Sequence, residues 1–190
     1  MSDTIKTTKL VGNELVVETK YGTEVYDSKF LVAALLIYVA KGSGSIEPEE
    51  VAKMIDLIEE HFQLEGAESL ELLTRAMTEL AEKPELAEHL VELGRTLSDP
   101  EKEDIAVMAL KVIAADGRRH VSEMEQFNRA VEAVGVSPDI VHRAFDRYFE
   151  KSGVWISNEV ISFPSVRCGL AVAAACALLV EAPPAEGHPP

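Results

Sequence analysis

A chain of 190 residues with 47% apolar side chains is long enough to bury one good core with small appendages. Its formal net charge of −15 argues against nucleic acid as a partner, because phosphate binding wants a basic face. Two cysteines and a start reading Met-Ser-Asp-Thr-Ile-Lys, without a secretory n-region, point to a reducing, cytoplasmic setting.

Residues 1–27 read as a β-meander. Thr7 to Val11, the turn pair Gly12-Asn13 and Leu15 to Tyr21 make a hairpin signal, and Gly22-Thr23 turns it again into Glu24-Val25-Tyr26. Helical signals follow over 28–41, 48–63, 67–82, 84–97, 100–115, 122–134 and 138–150. Asp99-Pro100 and Ser137-Pro138 mark two of the starts, and Val51, Met54, Ile55, Ile58 and Phe62 show the apolar spacing. The expected fold is all-α: an orthogonal bundle of about seven helices over 28–150, with a small N-terminal β-hairpin or meander.

Within the bundle the chain repeats itself. Leu35 to Gly42, then Ile46 and Glu50, is echoed 75 positions later by Leu110 to Gly117, then Val121 and Glu125. Each copy reads as an apolar helix stopped at a Gly, a short polar loop and a second amphipathic helix, a duplicated supersecondary unit. Gly117 suits the positive φ that ends a helix, and Ser122 with Glu125 reads as a capping box. In the first copy Pro48 suits the first helical position, and Glu50 falls in the first turn, where the helix dipole favours a carboxylate.

Past residue 150 the character changes. Cys168 to Val180 is an unbroken run of 13 small or apolar residues, within a C-terminal apolar segment over 151–182, and a Pro-rich tail over 183–190 reads as disordered. As a helix the run spans about 20 Å, against ~30 Å of bilayer hydrocarbon. Extending it backwards takes in Arg167 and Pro164, so we expect packing on the bundle or a partner rather than direct membrane insertion. A membrane anchor is the alternative.

Charge is unevenly placed. Residues 47–104 hold 18 acidic and 5 basic side chains, whereas residues 111–151 hold seven of each. Such a surface is a solvated, solubilising helix face or a docking face for cations or a basic partner.

Chemistry is sparse. Gly44 to Glu50 and Gly117 to Glu123 both match the Gly-x5-Glu half of a calcium loop, but Val39 and Lys41, or Val112 and Ala114, stand where oxygen ligands are needed. Neither loop is self-sufficient. A composite site pooling Glu47, Glu50, Asp116, Glu123 and Glu125 stays open if the repeats pack face to face, beside a capping role for Glu50 and Glu125. The histidines lack a His-x3-His spacing, and there is no Gly-x-Ser-x-Gly, phosphate-cradling loop or Cys-x2-Cys. No catalytic constellation or cofactor-binding motif is readable, so the chain is not expected to be an enzyme.

Val112-Ile113-Ala114-Ala115-Asp116-Gly117, followed by Val121-Ser122-Glu123-Met124-Glu125 and Val134-Gly135-Val136-Ser137, resembles the signature of the TerB (tellurite-resistance) family. Ala40 to Glu50 resembles the family's first copy, so the resemblance covers about residues 28–150. It implies a compact α-helical domain of bacterial cytoplasm, peripheral to the inner membrane at most, linked to tellurite and other stress resistance. It also implies metal binding through acidic loop residues and work beside membrane partners. Here the first copy carries Lys41 or Ser43 where the family has Asp, and Arg118 and Arg119 bring positive charge beside Asp116. Both departures weaken a metal site. The expectation is a non-enzymatic stress-response interaction module that docks on a protein, a membrane complex included, with a divalent cation held weakly. The alternative is a membrane-tethered scaffold with no ligand.

Overall fold

The computed structural model describes residues 5–117 and 121–152. The expectations for the C-terminal apolar run, the tail and the basic residues at 118–120 lie outside them. Three antiparallel strands, β1 (Ile5–Val11), β2 (Glu14–Thr19) and β3 (Thr23–Tyr26), form a meander in the order β1-β2-β3. Leu10 pairs with Leu15 and Val11 with Glu14, so Gly12 at φ 61° and Asn13 make the two-residue turn. Alternation puts Leu15, Val17 and Tyr26 into the core.

Seven α-helices follow among the described residues: α1 (Ser28–Ala40), α2 (Pro48–Phe62), α3 (Gly66–Glu82), α4 (Leu86–Leu90), α5 (Asp99–Ile113), α6 (Val121–Ala133) and α7 (Pro138–Ser152). The all-α reading holds. One difference is local: where a single helix over 84–97 is expected, α4 gives way to a 3₁₀ segment over Val91–Thr96. Tighter winding aligns residues three apart, and Leu90 and Leu93 both reach the core. Gly94 lies hard against the end of α6, where a Cβ would stand 2.6 Å from the Val134 carbonyl oxygen. Only glycine fits there.

Helix α1 from Phe30 and helix α5 from Ile105 are apolar almost all round, as central helices must be. From Phe30 to Ala40 every residue of α1 but Tyr38 is buried, and from Ile105 to Ile113 every residue of α5 but Lys111. Around them α3 packs on α1 and α7 on α5, while α6 packs on α1 and α2 on α5. The repeat is therefore three helices long and exchanges partners about an approximate twofold axis.

Its register is 73 residues rather than 75. The Lys41 N–H caps α1 through the Ile37 and Val39 carbonyls, and the Ala114 N–H caps α5 through Leu110 and Val112. Gly44 and Gly117 both take positive φ, 99° and 71°, and donate to the carbonyls of Lys41 and Ala114. The left-handed backbone position, not the first glycine met, fixes the equivalence. Pro48 and Val121 then open α2 and α6, and Met54 and Phe127, both 0% exposed, fill equivalent core positions. Burial of each contributes at most about 1.5–3 kcal/mol.

Candidate functional site

The loop carboxylates were the sequence's candidates, and the helix starts decide what they do. At α2 the Glu47 N–H donates to Glu50 Oε2 at 2.8 Å, and Ser45 Oγ donates to Glu47 Oε1 at 3.0 Å. The same device opens two more helices, with the Glu65 N–H on Glu68 at 3.0 Å and the Ser98 N–H on Glu101 at 2.7 Å. Ser98 thus caps α5 in place of the expected Asp99, and its hydrogen bonds hold the Glu101 carboxyl below the usual carboxylate range. Glu50 is 1% exposed, so its carboxylate serves the helix from inside the fold.

At the second loop, α6 begins at Val121, which places Ser122 inside the first turn rather than at the cap. Glu123, not Glu125, then occupies the position of Glu50 and is likewise 1% exposed, whereas Glu125 faces solvent. The first loop presses on this turn: a Cβ on Gly42 would stand 2.8 Å from Glu123 Cα and 2.9 Å from the Ser122 carbonyl oxygen. So the repeats do meet loop to helix. Glu47 and Glu50 meet only within the first repeat's own helix cap, while Asp116 lies half-buried in the second loop and Glu125 is exposed. Among the described residues no group of three or more His, Cys, Asp or Glu side chains is placed to hold a metal ion.

Sequence reading missed a polar cluster that fastens the meander to α3. The Tyr26 hydroxyl lies 2.6 Å from Glu24 Oε2 and 2.5 Å from Glu79 Oε2, Lys83 Nζ donates to Glu24 Oε2 at 2.5 Å, and Arg75 Nε donates to Glu79 Oε1 at 2.6 Å. Arg75 also covers the Tyr26 and Phe30 rings, at 5.5 and 5.2 Å from their centres. Burial and the two carboxylates push the Tyr26 phenol well up, so it stays neutral. Burial raises the Glu24 carboxyl, but hydrogen bonds from Lys83 and Tyr26 outweigh it and hold the group below its ordinary value. Tyr26 and Glu79 are 53 positions apart and Glu24 and Lys83 are 59 apart, so no local spacing joins the two sides of the cluster.

Also unannounced is an apolar cavity of about 430 Å³ between α1, the end of α3, α4 and α6. Leu31, Leu35, Leu90 and Val134 wall it, and Tyr38, Lys41, Glu88 and Arg129 stand among its lining. A second hollow, of about 490 Å³, is lined by Glu49, Lys53, Asp56, Lys111 and Tyr148 together with three alanines. Finally, no helix among the described residues is long and apolar enough to cross a membrane.

A family profile described as tellurite resistance protein TerB matches residues 29–146, which span both three-helix repeats up to the last turns of α7. No curated protein and no solved structure gives a significant match.

Proposed function

Because the chain belongs to the tellurite resistance protein TerB family, we propose that it works as a non-enzymatic interaction module in tellurite-type stress resistance, docking a basic protein segment on its acidic α2–α3 face. TerB is a family of non-catalytic helical domains. The observation that carries the docking is the distribution of charge. Between Lys53 and Arg75 there are six acidic residues and no Lys or Arg, and Asp56, Glu59, Glu60, Glu65, Glu68 and Glu71 are all exposed. Leu70, 50% exposed, lies between Glu68 and Glu71, with Met77 two turns further along α3. A basic amphipathic segment, including one on a membrane complex, would find both charge and apolar contact there. A divalent cation enters this reading only as a weakly held, non-essential occupant of the loop carboxylates Glu47, Glu50, Asp116, Glu123 and Glu125, on which the docking does not depend.

The test is complementation. A strain lacking the gene is challenged with tellurite and rescued with the wild-type chain or with Glu59, Glu60, Glu68 and Glu71 all changed to Lys. Rescue by the wild type and failure by a folded charge-reversed chain are expected. Equal rescue by both would remove the acidic face from the function, and unchanged tellurite sensitivity in the deletion strain would remove the pathway.

A further inference from the structure

We infer that the apolar cavity between α1 and α6 is a binding site for a single-chain anionic amphiphile, a long-chain carboxylate whose tail enters the groove and whose head meets Lys41 and Arg129. The inference is independent of the acidic face. Its volume, about 430 Å³, falls in the range of small-ligand pockets. Side chains from four elements wall it, a concave shape unlike the broad surface a stable protein partner needs. In a chain of net charge −15, two cations against one carboxylate, Glu88, stand among an otherwise apolar lining. Neither Lys41 nor Arg129 makes a salt bridge among the described residues.

The duplication supplies the control. Shifting by 73 residues converts Tyr38, Lys41 and Arg129 into Lys111, Ala114 and Asp56, which line the hollow of the other repeat. The two hollows share these three positions, and there the first carries Lys41 and Arg129 where the second carries Ala114 and Asp56. The repeat architecture therefore does not require a cation at the positions of Lys41 and Arg129.

The experiment titrates the full chain with myristate below its micelle concentration by calorimetry, with tetradecanol and phosphatidylglycerol vesicles as parallel probes. Saturable one-to-one myristate binding is expected. Ala87→Trp, at an exposed lining position, should abolish it, and Lys41→Ala with Arg129→Ala should weaken it about fivefold, as exposed ion pairs allow. Lys53→Ala with Lys111→Ala should leave it unchanged. Photo-crosslinking of a diazirine myristate to the wild-type chain, mapped to peptides of α1 and α6, tests the site without any substitution. Absence of saturable binding, equal affinity for tetradecanol, preference for vesicles over the free carboxylate, or crosslinks only outside α1, α4 and α6 would each overturn the assignment.

Discussion

Glu50 and Glu123 are the same residue in two copies of one unit: 73 positions apart, each the third residue of its helix and each 1% exposed. A buried carboxylate at this place answers the orphan N–H groups of a helix start and the positive end of its dipole. Glu50→Ala removes the acceptor of the Glu47 N–H and should cost about 0.5–2 kcal/mol, read as a lower denaturation midpoint. Glu123→Ala should cost a similar amount. A variant of Glu123 as stable as wild type would show that the equivalence is one of position alone.

Two glycines of the first loop should fail for different reasons. Gly42→Ala drives a Cβ into the backbone of Ser122 and Glu123, so the loop must lift from α6, at about 1–3 kcal/mol. Gly44→Ala meets nothing within 4 Å but forces a side chain onto a φ of 99°, costing about 1–2 kcal/mol. Hydrogen exchange separates them. Gly42→Ala should expose amides in the first turns of α6 as well as in its own loop, whereas Gly44→Ala should act on its loop alone.

The Tyr26 cluster carries a pH signature. Glu24 is held below its ordinary value of 4.5, so its stabilisation is complete above that value and disappears as pH falls through the lower, folded one. Wild type should therefore melt higher than Glu24→Gln at neutral pH, and the gap should close only below about pH 4.5. Tyr26→Phe should cost about 1–3 kcal/mol, because Glu79 and Glu24 lose a shared donor in a part-buried site. A gap between wild type and Glu24→Gln that stays constant down to pH 3 would mean that Lys83 and Tyr26 do not favour the ionised form.

Local chemistry made most of the fold readable. Gly12-Asn13, Pro48 and Pro138 announce their turns and helix starts because each satisfies a backbone requirement within a few residues. The repeat was visible, but its register was not. Gly42 and Gly44 are both glycines, and only the backbone shows that Gly44 takes the left-handed turn while Gly42 makes the close approach to α6. Pairing Gly42 with Gly117 makes Glu125 the counterpart of Glu50, whereas pairing Gly44 with Gly117 makes it Glu123, which shares the burial of Glu50. The Tyr26 cluster joins residues up to 59 positions apart, and the groove needs α1 beside α6; both are products of packing, to which a linear pattern is blind.

Packing also sets the strength of cation binding. Glu50 already spends Oε2 on its own helix start from a buried position, and Glu125 points to solvent, so collecting these oxygens round one ion means opening a cap. Calcium wants 6–8 oxygen ligands, far more than one half-buried Asp116 supplies. Calorimetric titration with calcium, magnesium and zinc should give affinities weaker than micromolar, and millimolar calcium should shift the melting temperature little. Asp116→Asn should then change almost nothing. Sub-micromolar binding that Asp116→Asn abolishes would instead require the two loops to rearrange round the ion. Glu50→Gln would settle that case, because a rearranged site must lose affinity when its buried carboxylate becomes an amide, whereas a site on Asp116 and Glu125 alone would not notice.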